Sequence, residues 1–420
     1  MTDPADDAVA AQYEAYPYPA RDARDEAKRL ILGSPSFLAE IDHWVFAARS
    51  DPARPLAVLV AGGGTGDGLV MLAQQMEQAG RPGHITYLDR SAAAAAIARK
   101  RIAARGLGHR VTFVQGSLLD ASRIAPGPFD YIDCCGVLHH LPDPAAGLAA
   151  IAAVLAPGGG MGLMVYAPHG RAGVYMLQEA LATLAPASEP LPARIEAARR
   201  LVRGLHPGHP LGRGAFRDHL DGGDSGLVDL LLHPRDRPYT VTQLIALLAG
   251  AGLHATTLVE PLRYDPATYA SDPKLRARAA ALPWAERAAL AEALSGTMVV
   301  HIAYAVRRAD GWTAPDPSDE RLIPTLRDLD GKALAASLGP GQRIGLDLDG
   351  VRTQLVLPPL GPALLARIDG RRSIGAVLDA VGASAGQPGA GRDRAARDWA
   401  ALYATLNAAN KLLLAAPPGG

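Results

Sequence analysis

Cysteine is almost absent from the 420 residues: only Cys134 and Cys135 occur, side by side. Neighbouring Cα atoms sit about 3.8 Å apart, short of the usual span of an unstrained disulfide. A disulfide framework and a four-ligand zinc cluster are therefore excluded. An excess of charge of either sign is missing too, since 42 basic residues face 42 acidic ones at a sequence pI near 7.2. That balance gives no global electrostatic case for nucleic acid or an anionic membrane as the main partner. No uninterrupted apolar run reaches the length of a membrane span, and "MTDPADDAVAAQ" is acidic where a signal peptide would be basic and then apolar. These features predict a protein of the cytoplasm with no membrane partner.

With 49% hydrophobic residues, the chain has enough apolar side chain for one large core and a smaller one. From Pro55 to about Val165, short apolar runs alternate with helical patterns. "PLAVLVA", "HITYLD", "RVTFVQGSLLD", "FDYIDCCGVL" and "GGMGLMVYA" read as strands, the first of them buried on both faces. Ser91 reads as a helix N-cap and Gly106 as a helix stop. Residues 170–238 carry no strand pattern and read as a helical insertion able to cap the sheet. The alternation then resumes, with Thr240 and Gln243 as a capping box and strands in "HATTLVE" and "TMVVHIAYAVR". The predicted fold class is α/β, a doubly wound, mainly parallel, seven-stranded sheet with that insertion. "RADGWTAPDPSDE" (308–320) reads as a linker, and 321–420 as a small α+β domain of winged-helix character. It should contain a hairpin turning at Asp349-Gly350 and two helices separated by a mobile "GASAGQPGAGRDR".

"AGGGTGDG" (61–68) follows the first strand and opens a helix, where glycines admit a ligand close to the backbone. Gly62, Gly64 and Gly66 are spaced G-x-G-x-G. A dinucleotide fingerprint would need glycine at position 67; Asp67 would instead set a carboxylate beside a pyrophosphate. No Lys-Ser/Thr pair follows, so a Walker loop fails as well. A phosphate-free ligand fits better, and Asp89, ending the second strand, is placed to accept hydrogen bonds from a ribose.

Taken together, "VLVAGGGTGDG", "YLDRS", "VQGSLLD" and "FDYIDCCGVLHHLPDP…VLAPGGGMGL" resemble, in order and spacing, the class I S-adenosylmethionine-dependent methyltransferases. The resemblance covers residues 55–165 most clearly and extends to 307, which makes 55–307 the methyltransferase domain and 1–54 a preceding aromatic lid segment. It implies S-adenosylmethionine as cofactor. Gly62, Gly63, Gly64, Thr65 and Gly66 would lie along its methionyl part, Asp89 and Arg90 at its ribose, Ser117 and Leu118 at adenine, and Cys135, Gly136 and Val137 near the sulfonium. Many family members carry an acid two positions before the first glycine of this motif. Here Val60 stands there, and Asp67 is another acid close by.

In-line methyl transfer from a sulfonium requires alignment above all, and a base where an O, N or C nucleophile must lose a proton. His139 and His140 follow the fourth strand and are the candidate catalytic residues. Tyr13, Tyr16 and Tyr18 in "YEAYPYPARD", with Asp224, His233 and Tyr239 in "DGGDSGLVDLLLHPRDRPYT", are candidate acceptor contacts. Asp229 and Asp236 share that second stretch, but the spacing matches no metal-ligand rule. Six arginines between Arg194 and Arg217 against one Glu196 read as a solvated face or an anion-docking patch. The expected partner is a small-molecule or protein methyl acceptor, which the C-terminal domain would recruit or orient unless it mediates homodimerisation. An NAD-dependent oxidoreductase and a non-catalytic binding module of the same fold are the alternatives.

Overall fold

The computed structural model describes residues 4–213, 216, 220–339, 341–384 and 388–419. Its centre is a seven-stranded sheet: β1 (Leu56–Ala61), β2 (Gly83–Asp89), β3 (Val111–Gln115), β4 (Phe129–Cys135), β5 (Leu155–Tyr166), β6 (Leu253–Leu258) and β7 (Val300–Arg307). The spatial order is β3-β2-β1-β4-β5-β7-β6. Strands β1 to β5 run parallel, and β7 runs antiparallel to both of its neighbours.

The apolar run of β1 is continuous because both of its faces are covered. Leu59 and Ala61 join one core with the helices Pro144–Ala153 and Val241–Gly250. Leu56, Val58 and Val60 join another with Asp67–Gln78 and Ala92–Ala104. Side chains alternate across a strand, so one sequence run serves two layers. The Ser91 hydroxyl accepts from the Ala94 N–H at 3.1 Å, and Thr240 with Gln243 forms a complete capping box. No helix among the described residues is long and apolar enough to cross a membrane.

The insertion contributes helices Ala172–Leu184, Leu191–Arg203 and Gly223–Leu231, which bury an apolar cluster of their own around Leu177, Leu181, Ile195, Leu227 and Leu230. Four of its arginines have partners within the chain. Arg200 and Arg203 pair with Glu196, Arg199 pairs with Asp224, and Arg194 donates to the Ala185 carbonyl. Arg217 lies outside the described residues.

In the C-terminal region β8 (Ile323–Leu326) pairs with β11 (Leu412–Ala415), and β9 (Arg343–Leu348) with β10 (Val351–Val356). Asp349 and Gly350 turn that hairpin with φ of 54° and 90°, as a type I′ turn requires. Helices Ile374–Ser384 and Pro388–Ala408 pack Val377, Val381, Trp399 and Leu402 against each other. The second helix begins within the stretch expected to be mobile; its proline opens it, where a missing N–H costs nothing. Residues 385–387 of that stretch lie outside the described residues.

This region is anchored to the sheet through residues 34–45. Trp44 donates to Asn410 Oδ1 at 2.9 Å, and the Leu414 N–H donates to His43 Nδ1 at 2.9 Å. Glu40, fully buried, accepts from Ser34 (2.8 Å), Tyr304 (2.5 Å) and Asn410 (2.7 Å) and lies 2.6 Å from Arg327 Nε. Burial pushes the Glu40 carboxyl up, and Arg327 opposes that rise. Removing one partner of a buried pair strands the other charge, at a cost of about 3–5 kcal/mol. Arg327→Ala is accordingly expected to lower the unfolding free energy by about 3 kcal/mol in urea titration. A loss below about 1 kcal/mol, the scale of an exposed pair, would contradict the anchor.

Candidate active site

The connection from β1 leads to β2 on one side, and the chain later returns to lay β4 on the other, so the strand order reverses between β1 and β4. Open α/β sheets bind ligands outside the carboxyl ends of the strands at such a point. A cavity of about 300 Å³ lies there.

The glycine loop forms one wall. Gly62, Gly64 and Gly66 have φ of +72°, +51° and +97°, and a Cβ on Gly62 would come within 2.5 Å of Val137. At Gly63 the obstacle is the Tyr87 ring, 2.4 Å from the position a Cβ would take. Side chains are excluded here by backbone conformation and by close approach alike. Tyr87 donates its hydroxyl to the Gly64 carbonyl at 2.6 Å, and the Gly64 N–H donates to Asp89 Oδ2 at 2.8 Å. Asp89 also accepts from the Ser91 N–H at 2.8 Å. Burial raises its carboxyl, while backbone donors at Ser91, Gly64 and Arg90 support the charge. A carboxylate offers about four acceptor positions, so Asp89 keeps capacity toward the cavity.

The N-terminal segment closes over this wall. Thr65 donates to the Pro19 carbonyl at 2.8 Å, and Arg21 grips Asp67 through Nε and Nη2 at 2.8 and 2.6 Å. Arg101 adds a third contact to Asp67 at 2.6 Å. Although burial pushes the Asp67 carboxyl up, the two arginines hold it below its ordinary range. Asp67 is thus committed to two cations and is not a spare acceptor for the ligand. Its carboxylate sits in the first helical turn, where a pyrophosphate would need to be.

A third acid, Asp133, lines the cavity from β4. It takes the Ser36 hydroxyl at 2.5 Å, and burial pushes its carboxyl up to about 6.

Toward the insertion the lining turns aromatic, with Tyr13, Tyr18, Met164, Tyr166, His140, Leu141 and Asp229. His140 Nδ1 lies 2.8 Å from the Arg235 carbonyl. A carbonyl can only accept, so Nδ1 carries the proton and Nε2 keeps a lone pair. His140 stacks on His233 at 3.9 Å. The Arg235 N–H donates to His233 Nδ1 at 3.1 Å, which leaves the proton of His233 on Nε2. From there a chain runs on: His233 Nε2 to Tyr13 Oη at 3.2 Å, then the Tyr13 hydroxyl to Asp229 Oδ1 at 3.1 Å. Burial raises Asp229, and the neighbouring His140 counteracts the rise.

All twelve residues expected to hold the cofactor line this one cavity: Gly62 to Gly66, Asp89, Arg90, Ser117, Leu118, Cys135, Gly136 and Val137. Tyr13 and Tyr18 line it too, and His233 stands directly behind His140. Four other candidates lie apart from the cavity lining. His139 is fully buried outside the cavity, 4.0 Å from the Tyr166 ring, and neither ring nitrogen has a hydrogen-bond partner among the described residues. Burial holds it well below the ordinary histidine range. Tyr16 packs against the core of the insertion, and Tyr239 joins the sheet core, its N–H donating to the Tyr166 carbonyl at 2.8 Å. Asp224 is an exposed partner of Arg199. Among the residues that line the cavity without having been singled out, Asp133 had a visible signal: a charge inside the otherwise apolar "YIDCC". Tyr166 and Met164 had none, being apolar strand residues by pattern.

Comparison with known proteins agrees with this geometry. The family model described as a methyltransferase domain matches residues 59–161. An uncharacterised protein of Synechococcus sp., syc1184_c, is 33% identical over 312 residues, 70% of each chain. A ubiquinone biosynthesis O-methyltransferase of Aromatoleum aromaticum is 34% identical over 96 residues, 23% of this chain and 38% of that one. In fold the chain is similar to PKMT2 from Rickettsia typhi, solved also in complex with AdoHcy. The TM-score is 0.60 at 15% identity, over 90% of this chain and 75% of that one. That coverage takes the likeness beyond the sheet and into the C-terminal region. With its motifs folded into one cavity at the switch point of a seven-stranded sheet, the chain carries a methyltransferase domain, matched over residues 59–161, on the class I, Rossmann-like fold.

Proposed function

We propose that the chain transfers the methyl group of S-adenosylmethionine to an oxygen or nitrogen nucleophile that must shed a proton, with His140 as the base. The observation that carries this reading is the 2.8 Å contact of His140 Nδ1 with the Arg235 carbonyl, in a residue that lines the cavity. The Arg235 carbonyl keeps the proton on Nδ1 and leaves the Nε2 lone pair for the acceptor. S-adenosylmethionine, held along Gly62 to Gly66 and at Asp89, would supply the methyl group on a sulfonium whose sulfur is a neutral leaving group, and His140 would take the acceptor's proton. Asp229, which brings a carboxylate oxygen within 4.8 Å of a His140 ring nitrogen and is held by the Tyr13 hydroxyl, would supply a negative charge beside the base. Asp89 would hold the ribose, and the glycine wall would lie along the methionyl chain.

His140, Asp229 and His233 also bring ligand atoms within 4.8 Å of one another. A relay fits them better than a cation does, because His233 Nδ1 is occupied by the Arg235 N–H and its Nε2 by a proton. The same relay predicts that Tyr13→Phe, which removes one hydroxyl between His233 and Asp229, lowers kcat about tenfold, the worth of one hydrogen bond to a charged group. A steady-state assay with unchanged kcat would count against the relay.

The acceptor, a small metabolite or a protein side chain, is open to direct identification. Methyl-labelled S-adenosylmethionine incubated with fractionated extract should label one fraction with the native protein and none with His140→Ala. Labelling that persists in the variant would remove His140 from the mechanism, and a protein inert toward every fraction would favour a binding module.

A further inference from the structure

Four carboxylates line the cavity, and each meets a different set of donors; one of them, Asp229, takes the Tyr13 hydroxyl and faces His140. Asp67 faces two arginines, and Asp89 faces backbone N–H groups. Asp133, 2% exposed, has the Ser36 hydroxyl as its hydrogen-bond donor, and no arginine or lysine pairs with it among the described residues. A carboxylate buried without a countercharge costs several kcal/mol unless it is neutralised or a cation arrives.

We infer that Asp133 receives the ammonium group of the cofactor's methionine moiety, replacing the acid that Val60 lacks. The inference rests on the cofactor reading above. Val60 and Asp133 are register partners on the parallel pair β1 and β4, about 4.8 Å apart. They share a face of the sheet: Val60 packs in the same core as Tyr131, and Tyr131 precedes Asp133 by one full strand repeat. The carboxylate has moved sideways by one strand without changing layer. Space for it is kept by Gly68 in the first turn of the adjoining helix. A Cβ there would lie 2.7 Å from Ser36 Oγ and 3.2 Å from Asp133 Oδ2. A hydroxyl donor and a side-chain-free helical turn thus hold one carboxylate at the cavity, and the ligand brings the cation it lacks.

Two ligands separate the ammonium site from the rest of the cavity: S-adenosylhomocysteine, which carries the amino acid, and 5′-methylthioadenosine, which has the same nucleoside and a thioether but no amino acid. Asp133→Asn keeps an oxygen for Ser36 while removing the charge. Calorimetry on the full chain is expected to show S-adenosylhomocysteine weakened about 10- to 100-fold in the variant, with methylthioadenosine changed less than about threefold, half a decade. Equal weakening of both ligands would make Asp133 a general support of the pocket and overturn the inference, as would no weakening of either. A native protein that binds neither ligand would bring down the cofactor reading itself, a result visible before any variant is made.

Discussion

Asp89→Ala is expected to weaken S-adenosylhomocysteine binding by about 100-fold or more. The reasoning counts hydrogen bonds. Each bond from a ribose hydroxyl to a carboxylate contributes about 1.5–3 kcal/mol, and a ribose presents two hydroxyls to one acid. Alanine removes both bonds and also frees the Gly64 N–H, so the glycine wall loses its tether to β2. Asp89→Asn separates these contributions. Its amide oxygen can still accept from Gly64, so the loop keeps its shape, and the affinity lost is that of the charge alone. Calorimetry on the three proteins should rank them native, Asn, Ala. An alanine variant that binds like the native protein would remove Asp89 from the ribose site.

The second large effect concerns turnover rather than binding. His140→Ala is expected to lower kcat by about 100- to 10,000-fold, the usual range for a general base, with affinity for S-adenosylhomocysteine within about threefold of native, less than 1.4 kcal/mol. A change that lowers kcat and kcat/KM alike while sparing the ground state marks an interaction made in the transition state. The adjacent position is the internal control. His139 is walled off from the cavity, so a substitution there acts through packing and shows in Tm before it shows in kcat. Should His139 variants lose turnover at native stability while His140 variants keep it, the assignment of the base would be reversed.

Much of this site was legible in the sequence because it is built from local segments. The glycine run, "YLDRS", "VQGSLLD" and "CCGVLHH" each end a strand, and parallel strands bring their carboxyl ends to one edge, so order along the chain becomes proximity in space. The same logic gave the seven strands. It could not give the direction of β7, because an apolar run reads alike either way and only the return path of the chain sets it.

What sequence reasoning missed depends on long-range partners. Asp67 was legible as an acid beside the glycines, but its commitment to Arg21 and Arg101 joins positions 46 and 34 residues away. Tyr16, Asp224 and Tyr239 sit in segments that do border the cavity. Whether each side chain faces ligand, core or solvent is decided by the packing of the insertion, which composition does not encode. The helix from Pro388 forms through glycines of low helix propensity because Ala395, Trp399 and Leu402 beyond them bury a common face, a tertiary gain that outweighs local preference. Asp133 is the opposite case. Its signal was local, a charge in an apolar strand, and its meaning came from the register that sets it opposite Val60.

We place the cofactor in one cavity at the β1–β4 switch point, with its ribose on Asp89 and its reactive end toward His140. A crystal structure of the protein with S-adenosylhomocysteine tests this most directly. Both ribose hydroxyls are predicted within about 3 Å of the Asp89 carboxylate, with the sulfur on the side of the cavity lined by Cys135 and His140. A nucleoside bound away from Asp89, or seated with its sulfur turned from His140, would contradict the account.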